Sequence, residues 1–328
     1  QTATIGDSNT AIGDNAGWSA TTASGSVFIG RLAAGSLTTG NDNIAIGRDS
    51  LNGTAVTGDS NIAVGVSALD AQTTGNNCIA IGNNAVGNVN SSNIIGIGAY
   101  AAHNGFGTGT TAIGYYAGYY SQTANNTFVG YESGKGTGAA GYGNSTGLGY
   151  QALKGLTTGD DNIGIGYLAG FQLEGGHSNT IIGSYAGDGA TGFDKTVLIG
   201  MYAGSGALTA DADGTVAIGY EAGKAITSGI GNTAIGYESA KALTTGGANV
   251  SIGYEAMSVG TVVNNSVAIG RSAGKNIATD GNAQRNTYVG AYAGETVTNG
   301  IGHTFVGYYA GQAYDSGNAN SDVTYIGV

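Results

Sequence analysis

Short bursts of alternating apolar and small residues run through the whole chain, and nearly every burst closes on an Ile-Gly, Val-Gly or Leu-Gly pair. The closing glycines, from Gly13, Gly30 and Gly47 through Gly166 and Gly219 to Gly307 and Gly327, return every 16 to 20 residues. The residue before each is Ile, Val or Leu, as in Ile46, Val64 and Leu148, and two positions earlier a β-branched residue recurs, as in Val27, Ile44, Thr127 and Val216. These two positions share one face of a strand because side chains alternate with period two. The residue between them, small in Ala45 and Ala112 or aromatic in Phe28 and Phe128, points the other way. The Ile/Val series is expected to form the core.

Three residues after the glycine stands Ala or Ser, as in Ala33, Ser50, Ala117, Ala169 and Ala203, which implies close approach of another backbone. The pattern predicts a strand of about five residues, a tight turn at a glycine free to take positive φ, a second short strand and a polar loop. No repeat carries a helical stripe. A repeat of this length without helices is expected to be one coil of an all-β, parallel β-solenoid (a β-roll) with about 17 residues per coil, each strand pairing with its equivalent in the next coil. Roughly 19 coils at ~4.8 Å give a rod on the order of 90 Å. Insertions fall in the loops, in the segments ending at Asp213, Gln284 and Ser321. No linker interrupts the pattern, so residues 1–328 read as one continuous repeat domain without caps, or part of a longer fibre.

Composition changes the picture in three ways. Glycine supplies 64 of 328 residues and proline none, so the regular Ile/Val positions argue for order despite low complexity. Only 9% of residues are charged and the net charge is −11, which speaks against a nucleic-acid partner. No apolar run reaches the length of a membrane-spanning helix, so direct membrane insertion is not expected. The single cysteine, Cys78, occupies the slot that holds Asn43, Asn61 and Asn162 and reads as an interior or turn residue.

In a solenoid, equal positions stack into ladders. Tyr115, Tyr131, Tyr150 and Tyr167 follow consecutive anchors, as do Tyr220, Tyr237 and Tyr254, and a second series one residue on includes Tyr100, Tyr116, Tyr185, Tyr202, Tyr292 and Tyr309. Such ladders either stabilise contacts between coils and subunits or offer a stripe for surface glycans. Asn43, Asn61, Asn126, Asn162, Asn179, Asn232, Asn249 and Asn286 form an amide ladder. Glu221, Glu238 and Glu255 form a like-charge column that needs Lys224 and Lys241 beside it, within a coil or across a subunit boundary. His103, His177 and His303 have no partner at metal-ligand spacing, and Gly164-Ile165-Gly166 with Ala169 mimics a dinucleotide fingerprint only because the repeat generates it. No catalytic residue, metal or cofactor is expected.

The strings Ser266-Val267-Ala268-Ile269-Gly270, Asn43-Ile44-Ala45-Ile46-Gly47 and Asn232-Thr233-Ala234-Ile235-Gly236 resemble the head repeats of YadA-like trimeric autotransporter adhesins and related phage tail-fibre repeats. That resemblance implies a left-handed roll, three chains side by side, and surface attachment outside the cell or on a virion. The coils here are longer than the compact adhesin repeat. The expectation is therefore a non-enzymatic fibre or adhesive head. The alternative is a filament joined head to tail through open solenoid ends, with Gln1, Thr2, Ala3, Thr4 and Ile5 meeting Tyr325, Ile326 and Val328 of another copy.

Overall fold

The computed structural model describes residues 6–105, 107–138, 141–277, 283–312, 314 and 322–327. The chain forms two compact units, one running up to Asp161 and one from Asn162. Each is a parallel β-solenoid with one short strand per coil.

In the first unit the strands run from Thr10–Ile12, Val27–Ile29 and Ile44–Ile46 to Thr127–Val129 and Thr146–Leu148. Each pairs in parallel with the next at equal register, so that Ile44 faces Ile62 and Ile62 faces Ile79. The second unit repeats this from Ile163–Ile165 through Val216–Ile218 and Val267–Ile269 to Thr324–Ile326. Two of its longer loops carry their own structure, a single 3-10 turn at Ala210–Ala212 and a two-residue parallel pairing of Val263–Asn264 with Ala283–Gln284.

The strands are three residues long, shorter than expected, and the second strand after the glycine does not form. A chain of turns replaces it. Ala33 N–H bonds Gly30 O (3.2 Å), Gly35 N–H bonds Leu32 O (3.1 Å) and Leu37 N–H bonds Ala34 O (3.1 Å). The intervening amides point along the stack: Leu32 N–H reaches Asp14 O and Ala34 N–H reaches Ser50 O, both at 2.8 Å. This alternation requires left-handed backbone at every second residue, φ 57° at Leu32 and 50° at Ala34. Each non-glycine residue held there costs ~1–2 kcal/mol, which the in-register hydrogen bonds to both neighbouring coils must offset. The anchor glycines behave as expected, with φ between 127° and 138°.

The core lies on the opposite strand face from the one expected. Except in the first and last strands, Thr10–Ile12 and Thr324–Ile326, the middle residue of each three-residue strand is buried (Ala45, Ala63, Phe128, Ala217, Phe305), whereas the flanking Ile, Val, Leu and Thr are half-exposed or exposed. Facing the middle residue inside the coil are the Ala/Ser three places after the anchor and an apolar residue about seven places after it, such as Leu37, Leu156, Leu173, Ile226 and Leu243. A coil of 17 residues encloses too little space for two Ile/Val columns as well. Its volume is balanced locally. Where the strand centre is Ala45, Ala63 or Ala80, the residue four past the anchor is Leu51, Leu69 or Val86, and all six are fully buried. Where the centre is Phe128, Leu198, Tyr288 or Phe305, that residue is Gly134, Gly204, Gly294 or Gly311, and an added Cβ would strike the large side chain.

Candidate contact surfaces

Four ladders result from the equal register, and two of them face outward. The first is the pair of columns flanking each strand. In the first unit they begin Val27, Ile44, Ile62, Ile79, Ile95 beside Ile29, Ile46, Val64, Ile81, Ile97, and continue as Thr111, Thr127, Thr146 beside Ile113, Val129, Leu148. Ile46, Ile81, Ile163 and Ile269 are 36–40% exposed, and no charged residue stands among the strand positions. The face so formed, aliphatic with interspersed threonines, is the surface that sequence reasoning assigned to the interior. Period two shows which residues share a face but not which face is inside.

The second outward ladder is aromatic. Tyr115 stacks on Tyr131 at 5.3 Å between ring centroids, and Tyr131 on Tyr150 at 5.2 Å. In the second unit Tyr220, Tyr237 and Tyr254 stack at 5.2 and 5.0 Å, while Tyr167 meets Tyr185 edge-on at 5.2 Å. The second series stacks likewise: Tyr100 on Tyr116 at 4.9 Å, Tyr185 on Tyr202 at 5.1 Å, Tyr292 on Tyr309 at 4.8 Å. The structure adds members that the sequence pattern did not mark. Tyr119 packs against Tyr116, Tyr120 and His103, making a broad aromatic patch in the first unit. Arg271 lies over Tyr254 and Tyr292, filling the rung between them. Within a ladder each ring face is covered by its neighbours, so Tyr131 and Tyr237 turn edges and hydroxyls outward rather than open faces. A sugar ring cannot stack on them.

The acidic column is neutralised by lysines of the same and the following coil. Glu221 binds Lys224 at 2.7 Å and Lys241 at 2.6 Å, Lys241 also reaches Glu238 at 3.3 Å, and Glu255 binds Lys275 at 2.6 Å. In the first unit Glu132, whose side chain is only 11% exposed, likewise meets two lysines, Lys135 and Lys154, each at 2.8 Å. Burial opposes ionisation of Glu132, but hydrogen bonds from Lys135, Lys154 and Gln151 outweigh it and hold the carboxyl down at about 2. Because the folded value lies below the unfolded one, near 4.5, this contribution is complete above pH ~4.5 and is lost as the pH falls toward 2. Both lysine ends are about a quarter exposed, so screening reduces it to ~1–2 kcal/mol. Thermal melts between pH 5 and pH 2 are expected to show a drop in melting temperature that Glu132→Gln makes shallower. An equal drop in that variant would contradict the pairing.

The asparagine ladder is internal. Asn43 Oδ1 accepts from Asn61 N–H at 2.9 Å, Asn61 Oδ1 from Cys78 N–H at 3.0 Å, and Asn162 Oδ1 from Asn179 N–H at 3.1 Å. The amide nitrogens of Asn43 and Asn61 donate to the carbonyls of Gly58 and Gly75, each at 2.9 Å. Cys78 takes the expected slot, buried, with its thiol pushed up by burial. His303 occupies the equivalent slot after Asn286, to whose Oδ1 its N–H donates at 2.9 Å; burial pushes its ring below the usual histidine range. His103 Nδ1 lies 2.9 Å from Asn84 O. Among the described residues no three His, Cys, Asp or Glu side chains group as a metal site. Of the residues assigned to end-to-end assembly, Tyr325 (47% exposed) and Ile326 (79%) lie on an outer strand, while Gln1, Thr2, Ala3, Thr4, Ile5 and Val328 lie outside the described residues, as does Ser321.

No family model matches the chain, and a search of curated proteins also finds no match.

Proposed function

We propose that the chain is a non-enzymatic segment of an extracellular fibre or adhesive head, in which copies lie side by side through the Ile/Val columns. The observation that carries this reading is the partly exposed, charge-free face, built mainly of Ile, Val and Thr, that flanks the strands. Contiguous apolar surface of this kind marks an interaction site. Its rungs repeat once per coil, at ~4.8 Å, and a second copy of this chain supplies the same spacing at every rung. An unrelated globular partner would match only a few. The resemblance to YadA-like heads favours three copies, a left-handed roll, and a place on a cell surface or virion. Among the described residues no helix is long and apolar enough to cross a membrane.

Contact with a target surface then falls to the tyrosine edges and the variable loops. Rows of phenol hydroxyls at ~5 Å spacing suit hydrogen bonding to an extended glycan rather than stacking on it. Light scattering and negative-stain electron microscopy of the purified chain test the assembly. Discrete particles holding a small whole number of copies are expected. A monomer at micromolar concentration would overturn side-by-side association, and filaments lengthening with concentration would favour head-to-tail joining instead.

A further inference from the structure

We propose that the ladder Tyr220–Tyr237–Tyr254 is a site of oxidative cross-linking, where a haem-type one-electron oxidant consuming hydrogen peroxide joins tyrosines of successive coils by carbon–carbon bonds. Three observations carry it.

Beyond its tyrosines the chain offers an oxidant few targets. It has 20 tyrosines against one tryptophan, two methionines and one cysteine. Cys78 is buried, and Trp18 lies in the first unit. Met201 is exposed in the second unit, but thioethers react chiefly by oxygen-atom transfer and leave one-electron chemistry to the phenols.

The rings are already paired and reachable. Tyr237 sits 5.2 Å from Tyr220 and 5.0 Å from Tyr254, with planes inclined by only 16° and 6°. Tyr237 and Tyr254 are 42% and 46% exposed, which leaves room for the rings to swing edge to edge. A radical on one ring finds its coupling partner held in place, so a bimolecular encounter becomes an intramolecular step. There is also a base for the proton. The adjacent Glu238 carboxylate, which holds the Tyr237 phenol above its usual range, can take the proton as the electron leaves.

The chemistry balances. Each of two tyrosines gives up one electron and its phenolic proton. The two radicals bond at carbons ortho to the hydroxyls, and the two ring hydrogens return to the oxygens as the rings become aromatic again. The linked pair has lost two hydrogen atoms, and one hydrogen peroxide takes them up as two waters. A bond between Tyr220 and Tyr237 closes a loop of 17 residues and fastens one coil to the next, in the manner of a disulfide.

The full chain is treated with a haem peroxidase and limiting hydrogen peroxide, then denatured and digested with trypsin. Cleavage after Lys224 and Lys241 places the three tyrosines in separate peptides, residues 196–224, 225–241 and 242–271. The expected products are peptide 225–241 joined to either neighbour with loss of two hydrogens, dityrosine fluorescence, and an undigested chain that keeps the mass of one copy under denaturing conditions. Tyr237→Phe preserves the stacked ring and is expected to reduce both joined products to background. Absence of dityrosine, products formed only between separate chains, or unchanged yields in Tyr237→Phe would each overturn the proposal. None of these outcomes depends on side-by-side association.

Discussion

Gly166→Ala is expected to disrupt the second unit, with a loss of about 4 kcal/mol or more. Gly166 has φ +136°, a region that costs a residue with a side chain ~1–3 kcal/mol. The added Cβ would also lie 2.6 Å from Gly183 O and 2.7 Å from Gly183 C, main-chain atoms of the next coil that cannot turn aside. Relief requires the two coils to part, which breaks the bonds that hold the strand, among them Gly183 N–H to Ile165 O at 2.8 Å. Against a whole-domain stability of ~5–15 kcal/mol, that is a large fraction. Gly192→Ala is the matched control. It lies in a loop of the same unit with nothing near its Cβ position and no positive φ, and is expected to change stability by less than ~0.5 kcal/mol. Denaturant unfolding followed by circular dichroism separates the two. Equal midpoints would show that the anchor glycines do not hold the stack.

The second large effect is a rescue. Phe128→Ala empties the centre of its coil and is expected to cost ~3–5 kcal/mol. Gly134→Leu alone is expected to cost ~3 kcal/mol or more by overpacking, since its Cβ would strike the Phe128 ring. Together they recreate the arrangement of Ala45 with Leu51 and Ala63 with Leu69, whose leucines adopt φ 48° and 53°, close to the 54° of Gly134. The double variant is expected to recover most of the loss, and thermal melts of the three variants give the coupling directly. Additive losses would contradict the volume exchange.

Much of this architecture is written in the repeat. The anchor glycines, the parallel equal register, the tyrosine ladders and the Cys78 slot all follow from residues recurring at fixed offsets. Such offsets become stacked neighbours once the coils are in register. Three features were not legible, for physical reasons. The inside face was inverted because strong apolar character at Ile44 and Ile46 reads as core, whereas the narrow coil admits only Ala45 between them. The turns after the glycine were read as a strand because their left-handed positions are filled by Leu32, Tyr116 and Glu132, which carry no sign of positive φ. The seventh-position core residues, Leu37 and Leu173 among them, sit in segments that read as polar loop, although their recurrence was a usable signal. On the candidate surfaces the tyrosines were foreseen. Their covered faces were not, because ring orientation depends on the neighbouring rungs.

The claim that most needs testing is that the Ile/Val columns join copies of the chain. Sedimentation equilibrium of the native chain beside a variant carrying Ile46→Glu and Ile81→Glu tests it. Both side chains point away from the core of one copy, at 36% and 40% exposure, so the variant is expected to keep its circular dichroism spectrum and sheet content. The native chain should sediment as a discrete multiple of its 32.1 kDa mass and the variant as a single chain. A variant that folds and still assembles to the same multiple would contradict assembly through this face.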